Sequence, residues 1–157
     1  MPKKSTSPTV KRFANKARWA LLAVTLAITA AIAGSGGAKE FVLELPQGID
    51  AARRVVLEMS EVRLPRKAAV IFRARAIEDG GAEVPLGSLG LLAESSDAEG
   101  TALHAALRID VTRALKRWRL AHPEVSAARI RVVPYAGDVP LDLEWSTTAA
   151  AVKIVAP

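Results

Sequence analysis

Two patterns of apolar residues divide the chain. Between Trp19 and Ala38 there are twenty residues without a formal charge, and their apolar positions are nearly continuous. From Lys39 onward, apolar and polar positions alternate instead. A continuous apolar stretch of about twenty residues has the length of a helix that crosses a bilayer, whereas alternation is typical of strands with one buried face. The pattern therefore predicts one hydrophobic helix followed by a β-rich domain.

Turn signals separate the alternating runs into short segments. Asp79-Gly80-Gly81 predicts a tight turn, and Gly87 and Gly90 predict a bulge or a close backbone approach within a strand. Polar composition predicts a loop over 95–100, and Leu64-Pro65-Arg66-Lys67 predicts another turn. About seven or eight strands result. They are predicted over 41–45, 54–62, 68–77, 86–93, 103–109, 128–133, 139–145 and 150–156.

One amphipathic helix interrupts these strands. Residues 111–122 carry apolar side chains at helical spacing, Asp110 is predicted as the N-cap, and Pro123 ends the helix. Trp118 and Trp145 are predicted to belong to the core. Many short strands and a single helix predict an all-β fold, an antiparallel β-sandwich preceded by one N-terminal hydrophobic helix.

The charge before the apolar stretch predicts its orientation. Residues 1–18 contain six Lys and Arg residues and no acidic residue, which predicts a basic tail that stays in the cytoplasm. The segment 19–38 is then a signal anchor or a signal peptide, and 39–157 is an exported domain. The residues predicted to span the membrane are Trp19, Leu21, Leu22, Val24, Leu26, Ile28 and Ile32.

Two fates of this segment stay open. A retained helix would make a single-pass membrane protein with a cytoplasmic N-terminus and a periplasmic or extracellular domain. The strongly apolar part, 19–33, is only fifteen residues long, and small residues follow it. That combination also suits a signal peptide cleaved near Ala33, which would release a secreted domain.

Charge and composition restrict the function of the exported part. Six of the 22 Lys and Arg residues precede position 19, and the other sixteen balance the sixteen Asp and Glu residues. A nucleic-acid-binding domain needs a basic excess of its own, so no nucleic-acid partner is expected. The chain has no cysteine, so disulfides and thiolate metal sites are excluded and the domain must be held together by apolar burial.

Candidate chemistry is sparse. The only two histidines are His104 and His122, too few for the three protein ligands that a catalytic zinc ion usually takes. We expect no catalytic, cofactor-binding or metal-binding residue, and no enzymatic activity. The candidate site is a partner-binding face, because alternation over 68–77 places charged and apolar side chains together on the wet side of one strand. These side chains are Ile71, Arg73, Arg75 and Ile77.

The order of several segments resembles a known family. The chain contains RVVLEMSEVRLPRKAAVIFRARAI, VPLGSLGLLA, LRIDVTRALKRW, ARIRVVPYAG and VKIV in that order. This series is similar to the C-terminal β-sandwich domain of tyrosinase and polyphenol oxidase proteins, over roughly 53–155. In that family a helix of the D-V-T-x-A-L type precedes a strand ending in V-P-x-G, and Ile71-Phe72-Arg73-Ala74 departs from the Lys-Phe-Asp-Val type of an earlier strand.

The resemblance implies a class of protein partner. In the family, this domain covers a helical oxidase that binds two copper ions through six histidines, and none of those ligands is present here. The expected function is therefore a non-catalytic accessory subunit that binds another protein, a tyrosinase-like copper oxidase or another membrane-associated oxidase. The alternative is a structural protein of the cell envelope that self-associates through edge strands such as 41–45 and 150–156.

Overall fold

The computed structural model describes residues 32–33, 37–65, 69–92 and 101–155. Within these ranges, alternating sequence produces strands and the one stretch of helical spacing produces a helix. The elements are β1 (Ile32–Ala33), β2 (Lys39–Glu44), β3 (Arg54–Pro65), β4 (Ala69–Ile77), β5 (Glu83–Leu92), β6 (Thr101–Asp110), α1 (Thr112–Ala121), β7 (Ala127–Ala136), β8 (Val139–Pro140) and β9 (Ala149–Val155).

The strands form two antiparallel sheets. The larger has the order β1-β2-β7-β4-β5, with β8 also paired to β7, and the smaller has the order β6-β3-β9. A single cluster of buried apolar side chains, drawn from both sheets, fills the space between them. This arrangement is an antiparallel β-sandwich with one short helix, which confirms the fold predicted for the domain.

Strand alternation explains how the core is filled. Along β4, Val70, Phe72, Ala74 and Ala76 are buried, and the residues between them point to the outer face. Phe72 meets Trp145 edge to face, with ring centroids 4.9 Å apart. The predicted core positions of Trp118 and Trp145 are confirmed by their burial. Each large apolar side chain buried in this way contributes about 1.5–3 kcal/mol of transfer free energy.

The start of the helix differs from the prediction. The N-cap position belongs to Val111, which has no capping side chain, so the prediction that Asp110 is the N-cap was wrong by one residue. Asp110 Oδ1 instead accepts hydrogen bonds from the Thr112 backbone N (3.0 Å) and Thr112 Oγ1 (2.7 Å). Thr112 Oγ1 in turn accepts from Val55 N at 2.9 Å. This contact fastens the helix to the beginning of β3, and Leu115 and Trp118 bury its inner side.

Several strand boundaries were also wrong. β7 runs through Pro134 to Ala136, because an imino acid can stay in a strand where its missing N–H is not needed. Of the strand predicted over 139–145, only Val139–Pro140 pairs with β7, and an irregular segment carries Trp145 into the core. β3 extends to Pro65, and the rest of the turn predicted there, like the loop over 95–100, lies outside the described residues.

The glycine signals were correct for the turn and for Gly87, whereas Gly90 has neither a bulge nor a close neighbour. A turn over 78–82 connects β4 to β5, and Gly81 has a φ of 80°. The register between β4 and β5 shifts at Ala74/Arg75, which leaves Leu86 as an extra residue beside Gly87. A Cβ at Gly87 would stand 2.5 Å from the Asp110 carbonyl oxygen. The predicted bulge and the close backbone approach therefore both occur at this glycine.

The residues before the domain are only partly described. Among those predicted to span the membrane, Ile32 lies in β1, where it pairs with Glu40. The basic tail 1–18 and the other predicted span residues lie outside the described residues; these are Trp19, Leu21, Leu22, Val24, Leu26 and Ile28. The helix that the structure does describe, α1, is ten residues long.

Gly37, between β1 and β2, is held by the 141–145 segment. The Gly37 N–H donates to Asp142 Oδ1 at 3.2 Å, and the Trp145 indole N–H donates to the Gly37 carbonyl. A Cβ at this position would lie 2.5 Å from Leu141 O and 2.9 Å from Leu143 N. The chain therefore passes under the 141–145 segment with no space for a side chain.

We expect Gly37→Ala to lower the free energy of unfolding by about 1–3 kcal/mol, since the added methyl group meets backbone atoms that cannot move independently. Urea unfolding of the purified chain measures the change. Gly90→Ala is the matched control, because no atom lies within 4 Å of a Cβ at Gly90. Equal stability of the two variants would contradict the tight fit at Gly37.

Glu61 has an unusual backbone conformation. It lies within β3 with a φ of 49°, a left-handed conformation that costs roughly 1–2 kcal/mol for a residue with a side chain. The preceding carbonyl, of Ser60, accepts hydrogen bonds from Thr147 Oγ1 (2.6 Å) and Thr148 N (3.1 Å). These bonds connect the irregular point of β3 to the segment that leads into β9.

Glu61→Gly is expected to raise the midpoint of thermal unfolding, because glycine adopts positive φ without strain, whereas Glu61→Val is expected to lower it. Arg63→Gly, at another exposed position of the same strand, serves as the control. It is expected to destabilise the protein by about 0.5–1 kcal/mol, the usual cost of glycine in a strand. A loss of stability in Glu61→Gly similar to that in Arg63→Gly would refute the argument.

Candidate functional site

The surface predicted from the sequence lies on the outer face of the larger sheet. Ile71, Arg73 and Arg75 are half-buried there, side by side on β4. Ile77 is only 8% exposed, so it adds little to the accessible surface. β4 is an inner strand with β7 on one side and β5 on the other, so the surroundings of these side chains come from three strands.

Two arginines stand directly opposite each other on this face. Arg75 of β4 pairs in register with Arg131 of β7, an arrangement that is destabilising when like charges are left uncompensated. Glu83 of β5 removes the conflict, because one of its carboxylate oxygens contacts Arg75 Nη1 at 2.8 Å and the other contacts Arg131 Nη1. A single carboxylate thus bridges the two guanidinium groups.

A second carboxylate extends the arrangement to the edge of the sheet. Glu40 of β2 contacts both Arg131 and Arg129 of β7, and its side chain is 16% exposed. The alternation of charges from Arg129 through Glu40, Arg131 and Glu83 to Arg75 crosses four strands, and we call these five residues the ion-pair row. Because every charge in the row contacts an opposite charge, the row holds its arginines in defined positions.

Beyond Arg75 the row meets an aromatic ring. Tyr135 of β7 is only 6% exposed, and the Arg73 guanidinium covers it at 4.3 Å from its ring centroid, a cation–π distance. Its hydroxyl accepts a hydrogen bond from Arg75 Nη2 at 3.1 Å. Arg73 Nη2 contacts Asp138 Oδ1 at 2.6 Å and the Gly137 carbonyl at 2.9 Å. Ile71, Arg73, Tyr135 and Asp138 form what we call the Arg73 corner.

The electrostatics of the row follow from these contacts. Hydrogen bonds from Arg131 and then Arg129 hold the pKa of Glu40 below its ordinary value, against the opposing effect of burial. The hydrogen bond to Glu83 raises the pKa of Arg75, and that to Glu40 raises the pKa of Arg131. These shifts favour the charged forms of Glu40, Arg75 and Arg131.

Sequence reasoning found β4 but missed its neighbours. Glu40, Glu83 and Tyr135 were not singled out, and neither were Arg129 and Arg131. One signal was available, since the run ARIRVV alternates and places both arginines on the polar face of its strand. The pairing of strands that are distant in sequence, which brings Glu40 beside Arg131, has no comparable local signal.

The smaller sheet carries a separate charged cluster on its outer face. Glu58 is nearly buried and contacts Lys153 Nζ at 2.5 Å and Arg108 Nε at 2.7 Å. Hydrogen bonds from Lys153 and then Arg108 hold its pKa below the ordinary value. Both oxygens are occupied by cations from the two flanking strands, so this cluster ties β3 to β6 and β9.

The histidine at the helix end makes local contacts. His122 stacks on Trp118 with ring centroids 4.5 Å apart, and its Nδ1 lies 2.9 Å from the Trp118 carbonyl oxygen, which accepts the bond. Glu78 lies 3.7 Å from the other ring nitrogen. These residues line a cleft of about 310 Å³. His104 belongs to β6.

Metal ligands and membrane spans can be judged only where the chain is described. In those ranges, His, Asp and Glu side chains form no group of three that could hold a metal ion. No helix among the same residues combines the length and the hydrophobicity of a membrane span.

Comparisons with known proteins do not assign a family. No protein-family model matches the chain. A search of curated proteins finds no match either. The function is therefore argued from the surface chemistry of the domain.

The ion-pair row predicts a specific pH dependence. Because the pKa of Glu40 is lower in the folded chain, its pairing stabilises the protein above about pH 4.5 and is lost as the pH falls through the folded-state pKa. We expect Glu40→Gln to lose about 1 kcal/mol at neutral pH, a modest value because the partner arginines are partly exposed. The loss should disappear in acid.

Chemical unfolding at a series of pH values between 7 and about 3 tests this expectation. Glu44→Gln is the matched control, since Glu44 is an exposed glutamate on the same strand. A stability difference between Glu40→Gln and the natural chain that is constant with pH would contradict an ionic role for Glu40.

Proposed function

We propose that this chain is a non-catalytic, exported protein-binding domain, either anchored in a membrane or released from it by cleavage near Ala33. The basic tail and the apolar stretch after it support export. The charge balance of 39–157 supports a protein partner over a nucleic acid. The sandwich provides rigid sheet faces on which a binding surface can be built.

The observation that carries the proposal is the Arg73 corner. Arginine is one of the residue types that most often dominate binding energy at protein interfaces, and the Arg73 side chain is 31% exposed. Here the guanidinium of Arg73 is oriented by Asp138 and by the Tyr135 ring, and half-buried Ile71 supplies apolar area beside it. Because these side chains are already ordered, a partner would meet a surface that loses little entropy on binding.

The specific form of the proposal names the partner class. Resemblance to the C-terminal domain of tyrosinase and polyphenol oxidase proteins supports an accessory subunit for a separately encoded oxidase. That oxidase would be a tyrosinase-like copper enzyme or another membrane-associated oxidase, and it would contribute all of the metal ligands. The accessory chain would cover part of the oxidase surface, as the family's own domain does.

A second candidate function is self-association in the cell envelope. β2 and β9 lie at the edges of their sheets on the same side of the sandwich, and β1 covers only Lys39 and Glu40. Val42 and Ile154, on these two strands, are each 40% exposed. Edge strands with exposed apolar side chains can extend a sheet into a second copy. Light scattering on the purified chain decides this point, since a strict monomer excludes it.

The accessory-subunit proposal predicts the effect of one substitution. Arg73→Glu should reduce recovery of the partner on purification from native membranes by about tenfold, because it reverses the central charge of the Arg73 corner. Mass spectrometry and copper analysis identify the recovered protein. Arg63→Glu, an equal charge change at an exposed position on the other sheet, should leave recovery unchanged. Recovery of the natural chain alone would overturn the proposal.

A further inference from the structure

The strand at one edge of the larger sheet lacks the charges that usually protect an edge. β5 pairs with β4 on one side, and no described strand pairs with its other side. It is ten residues long, and after Glu83 it contains no charged residue. Charged side chains on an edge strand hinder the addition of a further strand. The edges of the smaller sheet have such charges, since β6 carries Arg108 and Asp110 and β9 carries Lys153.

The second half of β5 is the part that can accept a further strand. Near the start of β5, Pro85 lacks a backbone N–H, and the bulge beside Gly87 interrupts the regular ladder. From Ser88 to Leu92 the pairing with β4 is regular. A Cβ at Gly90 would meet no described atom within 4 Å. We call residues 88–92 the open edge.

The two faces of the open edge differ in size and polarity. Leu89 and Leu91 are half-buried and pack against the core between the sheets. Ser88 and Gly90 are exposed on the outer face, and both are small. A foreign strand that is added to a sheet is selected through its side chains, and small residues such as these give little selectivity. An identical strand has matching faces, with leucines toward the core and small residues outside.

We propose that two copies of this chain pair through the open edge, antiparallel about a twofold axis at Gly90, the midpoint of 88–92. Gly90 then lies opposite its own copy, and Leu89 lies opposite Leu91 of the second copy. The apolar layer continues from one sandwich into the other. No like charges meet, because the open edge is uncharged. The proposal does not depend on the proposed function, since it requires neither an oxidase nor a membrane anchor.

This pairing differs from self-association through β2 and β9. β5 lies beside β6, on the side of the sandwich opposite to β2 and β9. A twofold axis uses the same edge of both copies, so no open edge is left after two chains have joined. The expected product is therefore a closed dimer.

Cysteine cross-linking tests the pairing, because the natural chain has no cysteine. The full-length chain in mild detergent is oxidised and analysed by electrophoresis without reductant. We expect Gly90→Cys to form about tenfold more disulfide-linked dimer than Ser88→Cys, since directly opposite Cβ atoms are about 4.5–5.5 Å apart. The two copies of residue 88 would be at least about 13 Å apart, four strand positions. Val42→Cys, exposed on β2, is the control for the other side of the sandwich.

A charge on the open edge should separate the two copies. Adding Ser88→Lys to Gly90→Cys should reduce the cross-linked dimer by about tenfold, because like charges then meet along the paired strands. Ser88→Thr keeps the edge uncharged and should retain the dimer. Ser126→Lys adds the same charge at an exposed serine outside the strands and should also retain it.

Three results would contradict the proposal. One is a cross-linked dimer from Val42→Cys but not from Gly90→Cys, which would instead favour self-association through β2. Another is an equal yield from all three cysteine variants, as random collisions would give. The third is an equal loss of dimer in Ser88→Lys and Ser126→Lys, because the effect of charge would then not be specific to the open edge.

Discussion

Burial of apolar side chains between two sheets is the constraint on which this domain depends. A chain without cysteine has no disulfide to restrict its unfolded state, so stability must come from the packed layer between the sheets. The inward side chains of β3, including Val55, Leu57 and Met59, are completely shielded from solvent. Trp145 closes the layer from an irregular segment, which shows that the core extends beyond the regular strands.

Because the space between the sheets is apolar, charged side chains lie on the outside. Some of them are paired within the domain and others are not. On the larger sheet, cross-strand register forces Arg75 and Arg131 together, and Glu83 and Glu40 neutralise them within the domain. On the outer side of α1, Arg113, Lys116 and Arg117 form no ion pair within the described residues. The same fold therefore contains a sheet face whose charges are paired within the domain and a helix face whose cations form no ion pair with the described residues.

Much of the architecture follows from local sequence, and the exceptions have physical causes. Alternation over 68–77 was sufficient to predict β4 and its inward side chains, because period two is a local property. Pro134 misled the prediction of β7, since proline breaks a strand only where its N–H is required. Glu40 was missed because its role arises from pairing with Arg131, ninety-one residues away, and strand pairing leaves no local signature.

If the proposed cleavage near Ala33 takes place, the pairing of β1 with β2 restricts when it can happen. Ile32 and Ala33 are joined by strand hydrogen bonding to Glu40 and Lys39, next to the place where a signal peptidase would cut. Peptidases act on extended backbone that is free of other partners, so a paired strand is a poor substrate. Cutting at Ala33 would therefore have to precede folding of the sheet, and a chain that folded first would keep its leader and, with it, its attachment to the lipid phase.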